Sequence, residues 1–74
     1  MANERILKLV GKRIRQLRID KGMTQEEAAR RAEFDYKYYQ RVEYGEKNLS
    51  LTSLQKLAKA LGVPAWQLLQ TERD

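Results

Sequence analysis

The apolar positions of this chain recur at helical spacing and are interrupted by glycine, proline and short polar segments. Ile6, Val10, Ile14 and Leu17 follow one another at intervals of four, four and three, which puts them on one stripe of a helix. That helix is expected to run from Asn3, as N-cap, to Asp20. Gly22 ends the block by supplying the left-handed turn that often follows a helix. Thr24-Gln25-Glu26-Glu27 fits a capping box, with Thr24 as N-cap and Glu27 reaching back to it. A short second helix follows, about Gln25 to Ala32, with Ala28 and Ala29 facing inward.

After a break at Glu33-Phe34, Asp35 is placed to cap a third helix that runs through about Tyr44 and closes at Gly45. Residues 46–50 form a loop. Ser50 caps a fourth helix, with Leu51, Leu54, Leu57, Ala58 and Leu61 along one stripe, and Gly62 stops it. Pro64 suits the first turn of a last short helix in AWQLLQ, where its missing N–H costs little. No segment alternates apolar and polar residues with period two, so the pattern predicts an all-α chain. Gly11 stands inside the first helix, where glycine costs up to about 1 kcal/mol relative to alanine. A close approach of another helix is the expected reason for it.

Composition narrows the chemistry. At 74 residues the chain is expected to form one domain, 1–74, near the lower limit for a self-sufficient core. It has no cysteine and no histidine, so disulfides, thiolate metal sites and the commonest general base are all missing. Neither a metal nor another cofactor is expected. Fifteen Lys and Arg against ten Asp and Glu give a basic domain, which favours polyanions and most often nucleic acid. No apolar run approaches the roughly 20 residues that span a bilayer, and no signal-peptide pattern opens the chain. The expectation is a cytoplasmic protein with no membrane partner.

Two short helices joined by a tight turn, the second basic and aromatic, suggest a helix–turn–helix over about 24–44. The string IRQLRIDKGMTQEEAARRA, followed by YYQRVEYGEKNLSLTSLQKLAKALGV, resembles the Cro/CI repressor-type (XRE) helix–turn–helix family. Within that family it is most similar to the controller proteins of restriction–modification systems. The resemblance implies a compact five-helix, lambda-repressor-like domain from bacteria or phage, acting on nucleoid DNA. It also implies a transcriptional regulator that binds double-stranded DNA as a homodimer at a pseudo-palindromic operator. Two departures stand out. Glu33 occupies a turn position where the family often has glycine, so it must bear a left-handed backbone or sit in an altered turn. Ala28 replaces a usual leucine while Tyr39 replaces a usual Ile or Leu, which points to an exchange of side-chain volume.

The stretch FDYKYYQRVEYG holds all four tyrosines. At 100° per residue Tyr39 and Val42 share the core face of the third helix, and Tyr36, Lys37, Gln40, Arg41 and Tyr44 lie on the other side. Lys37 and Arg41 can donate to guanine O6 and N7, Gln40 can pair with adenine, and Tyr36 can meet a thymine methyl. By resemblance the base contacts fall on Tyr36, Lys37, Arg41 and Gln40. Phosphate contacts fall on Gln25, Tyr38, Tyr44, Lys47, Asn48 and Ser50, each of which can equally be a local cap or turn residue. The family pairs the positions of Arg18 and Glu43 in a partly buried salt bridge. Lys8, Lys12 and Arg15, opposite the apolar stripe of the first helix, are expected to be a solvated surface.

The C-terminal helices, 51–70, are the expected dimer interface, through Leu51, Val63, Trp66, Leu68 and Leu69. Trp66 is either part of that interface or a lid over the domain's own core. The resemblance to related repressors implies an acidic activating patch at Glu26 and Glu27, with RNA polymerase as its partner, while their own positions fit cap and solvated-face residues better. Three other classes compete. An enzyme would have to rest on Glu26, Glu27, Glu33 and Asp35, all better explained as caps and helix-surface charges. An antitoxin-like protein-interaction module would need more than Thr71-Glu72-Arg73-Asp74 as a wrapping tail. A platform for unpaired RNA bases would line its tyrosines on one surface, and these scatter around the helix.

Overall fold

The computed structural model describes residues 2–71 and is helical wherever it is regular. The elements are α1 (Ala2–Asp20), α2 (Gln25–Ala32), α3 (Tyr36–Glu43), α4 (Leu51–Leu61) and a terminal 3₁₀ helix, Ala65–Leu69. Of the Thr71–Asp74 tail, only Thr71 lies among the described residues. Local chemistry sets most boundaries. Thr24 Oγ1 accepts from the Glu27 amide at 3.0 Å, and the Thr24 amide donates back to Glu27 Oε1 at 3.1 Å. That donated N–H is the main reason the Glu27 carboxyl titrates below its ordinary range. Asp35 Oδ2 accepts from the amides of Lys37 and Tyr38, and Ser50 Oγ from that of Ser53.

The start of α1 is a correction. The helix begins at Ala2, so Asn3 lies within it and is not its N-cap. Glu33 takes the left-handed backbone, φ 61°, and the turn after α2 closes with Phe34 N–H donating to Ala29 O at 2.8 Å. The chain therefore keeps the glycine-type turn with a glutamate in it, at a conformational cost of order 1–3 kcal/mol.

All five elements feed one core. Its largest fully buried side chains are Tyr39, Ile14, Leu57, Leu61, Leu68 and Val42. The expected stripes are longer than this core. Ile6 is 47% exposed and Leu51 84% exposed, because each stands at the end of its helix, past the neighbours that cover Val10 or Leu54.

The expected fifth α-helix is also corrected. Ala65–Leu69 is a five-residue 3₁₀ helix that follows Pro64 without a side-chain cap. Its period of three puts Ala65 and Leu68 on one line and Trp66 and Leu69 on the next. Ala65 packs against the core and Leu68 is fully buried in it, while Trp66 and Leu69 are exposed. Leu68 belongs to the protomer's own core and is not available as an interface residue.

Gly11 marks the tightest crossing. A β-carbon built on it would stand 2.5 Å from Glu43 O and 2.6 Å from Val42 O, so α1 crosses directly over the end of α3. Gly45, at φ 76°, meets the α1 backbone at Lys8 in the same way. Ala28 and Tyr39 are both fully buried in the common core. The proposed exchange of volume has Tyr39 occupy the space that Ala28 vacates, so Ala28→Leu is expected to destabilise by about 1–3 kcal/mol through overpacking. Thermal denaturation checks it, and an unchanged or raised melting temperature would rule out the exchange of volume.

Candidate nucleic-acid interface

The third helix has two chemically different sides. Tyr39, Val42 and Glu43 are buried, whereas Tyr36, Lys37 and Arg41 are exposed and Gln40 is half-buried. Asp35 at its N-cap fixes the first turn, which carries Tyr36 and Lys37. Arg41 follows one turn after Lys37 on the same face. Tyr44 is the C-cap residue and stands largely exposed.

Beneath this surface lies a buried ion pair. Arg18 Nε donates to Glu43 Oε2 at 2.6 Å, Nη2 to Oε1 at 3.2 Å, and Nη1 to the Met23 carbonyl at 2.9 Å. The bidentate geometry is the strong form of such a contact. Hydrogen bonding to Glu43 pushes the Arg18 pKa further up against the opposing effect of burial. The Tyr39 hydroxyl also donates to Glu43 Oε2. Burial, and then the neighbouring carboxylate, raise its pKa well above the ordinary tyrosine value, so it remains a donor. Among the described residues no buried side-chain nitrogen or oxygen lacks a partner.

A chain of hydrogen bonds links this pair to the exposed face. Gln25 Nε2 donates to Glu43 Oε1 at 3.0 Å. Gln40 Nε2 lies 3.2 Å from both Gln25 Oε1 and the Tyr36 hydroxyl. The first residue of α2 is thereby tied to the middle of α3, and the α2–α3 angle is held by polar contacts as well as by alanine packing. Sequence reasoning missed this chain. Its one local signal is the i, i+4 spacing of Tyr36 to Gln40 and of Tyr39 to Glu43; the Gln25 link depends on how the helices pack.

Of the other expected phosphate positions, Tyr38 and Lys47 stand together beside α3, with Asn48 and Ser50 following on the loop, whereas Tyr44 lies apart, beside Gln25. Phe34 and Tyr38 stack edge to face with ring centres 5.1 Å apart, and the Tyr38 hydroxyl donates to the Asn48 carbonyl at 3.4 Å. Asp35, Lys37, Tyr38, Arg41 and Lys47 line one shallow depression, with Asn48 and Ser50 on the loop that leads to α4. Exposed Leu51 follows at the start of α4, and Trp66 and Leu69 stand exposed on the 3₁₀ helix, with Val63 half-buried ahead of it. Among the described residues no group of His, Cys, Asp or Glu is clustered for a metal, and no helix is long and apolar enough to cross a membrane.

A short capped helix followed by a second whose cationic face is held clear of the core defines a DNA-binding helix–turn–helix protein. The comparisons place it more closely: the model of the helix-turn-helix family HTH_3 matches residues 14–65, and the chain belongs to this family of transcription regulators. It is 45% identical over 56 residues to a hypothetical transcription factor of Neisseria meningitidis, covering 76% of this chain and 53% of that protein, about half its length. It is 39% identical over 62 residues to the control protein C.BamHI of Bacillus amyloliquefaciens, covering 82% of this chain and 76% of that one. The solved restriction–modification controller protein C.AhdI of Aeromonas hydrophila superposes with a TM-score of 0.82 at 40% identity, over 84% of this chain and 94% of that one.

Proposed function

We propose that the protein binds a pseudo-palindromic operator as a homodimer and controls transcription by occupancy, as the controller of a restriction–modification system. The observation that carries this reading is the division of α3 into a buried side and an exposed cationic side. Lys37 and Arg41 donate to guanine O6 and N7, Arg41 with the fork for a bidentate contact. Tyr36 meets a thymine methyl or bonds through its hydroxyl. Gln40, already bound to Gln25 and Tyr36, orients Tyr36 and keeps its own Oε1 for adenine. Gln25, Tyr38, Tyr44, Lys47, Asn48 and Ser50 hold the flanking phosphates, which fix register without reading sequence.

One such domain covers a single half-site. A two-fold dimer sets two recognition helices about 34 Å apart, one turn of duplex. Leu51, Trp66 and Leu69, with the edge of Val63, form the dimer surface. The bound dimer blocks RNA polymerase or helps recruit it, on nucleoid DNA in the cytoplasm. Trp66→Ala is expected to shift the protein from dimer to monomer in sedimentation at micromolar concentration; an unchanged dimer removes Trp66 from the interface. The operator itself is tested by selecting bound duplexes from a random library at several salt concentrations. A two-fold-symmetric consensus with a steep salt slope is the expected outcome. Recovery of single strands, or of no consensus, would overturn the reading.

A further inference from the structure

The hydrogen bonds beneath the reading face have a direction, and the buried ion pair sets it. Glu43, paired with Arg18, is a carboxylate and can only accept. Gln25 therefore turns its Nε2 toward Glu43 Oε1, at 3.0 Å, and its Oε1 toward α3. That oxygen needs a donor, and Gln40 meets it with Nε2 at 3.2 Å. The same Nε2 donates to the Tyr36 hydroxyl at 3.2 Å. Both N–H groups of Gln40 are thereby spent inside the protein. A glutamine that reads adenine alone must donate to N7 while it accepts from N6, so Gln40 cannot supply that pair by itself. Two groups stay unused among the described residues: Gln40 Oε1 and the proton of the Tyr36 hydroxyl. No buried side-chain oxygen lacks a partner there, so the free Oε1 of half-buried Gln40 reaches the surface, beside exposed Tyr36.

We infer that Tyr36 and Gln40 together read one adenine, the Tyr36 hydroxyl donating to N7 and Gln40 Oε1 accepting from the 6-amino group. The inference rests on the operator reading and deepens it, because it names a base and divides the contact between two residues. They stand at i and i+4, so both project from one face of α3. An oriented donor beside an oriented acceptor matches the major-groove edge of adenine. Guanine offers two acceptors there, and its O6 would meet Gln40 Oε1 with no hydrogen between them. Cytosine lacks an acceptor on this edge and thymine lacks a donor, so either leaves one of the two groups unpaired. The discrimination expected is that of a bidentate contact, roughly 5- to 150-fold against the other bases.

The test combines duplex selection with base analogues, using the full chain. The wild type should select adenine at one position of each half-site. In that operator 7-deazaadenine removes the N7 acceptor, and purine itself removes the 6-amino group. Each replacement should weaken wild-type binding about two- to tenfold. Tyr36→Phe should bind the adenine and 7-deazaadenine duplexes equally, and Gln40→Met should bind the adenine and purine duplexes equally. In selection both variants should lose their preference at that same position and at no other. Tyr36→Phe removes only an exposed hydroxyl, so its circular dichroism melt should match the wild type, and the analogue arm on the wild type needs no variant at all. A purely structural role for the chain would weaken binding to every duplex alike and leave both analogue effects in place. That result overturns the shared contact, as does loss of preference at two different positions or selection of a base other than adenine, and the operator reading stands in each case. Absence of duplex selection by the wild type overturns the operator reading and the adenine contact with it.

Discussion

Glu43→Gln is expected to lower the unfolding free energy by about 3–5 kcal/mol, the range for breaking a buried pair by removing one partner. The carboxylate accepts from donors on three helices: Arg18 through two nitrogens, the Tyr39 hydroxyl and the Gln25 amide group. The glutamine keeps the shape and loses the charge. Arg18 is then left buried with only the Met23 carbonyl and a neutral side chain, and its charge is uncompensated. One amide oxygen cannot serve every donor that two carboxylate oxygens served. A chain of this size has a total stability of order 4–11 kcal/mol, so the loss is a large share of it. Melting should fall by an amount on the order of 20 °C. Chemical denaturation measures the free energy, and DNA binding is assayed on the fraction still folded at low temperature. A variant with wild-type stability and no binding would move Glu43 from scaffold to interface.

Gly11→Ala is the second large effect, and its sign opposes helix propensity. In an isolated helix the change would stabilise by up to about 1 kcal/mol. Here the new methyl meets the carbonyl oxygens of Glu43 and Val42 at 2.5 and 2.6 Å, and the Glu43 carbonyl carbon at 3.0 Å. These are backbone atoms at the end of α3, and no rotamer change relieves the clash. Helix α1 or α3 has to shift. The expected net cost is about 3 kcal/mol, at the upper end of the overpacking range. Denaturation at neutral pH checks it, and a stabilised variant would show that the crossing can open at little cost. Because the shift lands on the last turn of α3, surviving folded protein should also bind its operator more weakly.

What was legible in the sequence was what local chemistry decides. Thr24 with Glu27, Asp35, Ser50, Gly45 and Gly62 each bound a helix through contacts with near neighbours, so their boundaries follow from residue type and spacing. The inward side of α3 was equally readable from its period. The misses share a different cause. Ile6 and Leu51 continue a correct stripe beyond the point where the core has a neighbour to offer. Leu68 and Leu69 differ in role because a 3₁₀ helix advances by three residues per turn, and apolar composition does not announce that phase. The destination of the Tyr39 hydroxyl, and the bridge through Gln25 and Gln40, depend on where three helices meet. The base and phosphate roles come from the family resemblance together with exposure on α3.

Arg13 shows how the two ends of the molecule are geared together. Its Nε donates to the Gln67 carbonyl at 2.9 Å and its Nη2 to Gln70 Oε1 at 3.4 Å, which fastens the 3₁₀ helix to α1. Two residues earlier on the same helix, Gly11 sits against the last turn of α3. Helix α1 thus ties α3, at Gly11, to the segment that carries Trp66, at Arg13. In the proposed dimer it works as a ruler: the separation of two half-sites is set by the length and tilt of one helix, and mating surfaces alone do not decide it. An operator with an altered spacer is then expected to bind more weakly, since either its duplex bends or the contacts at Gly11 and Arg13 give way.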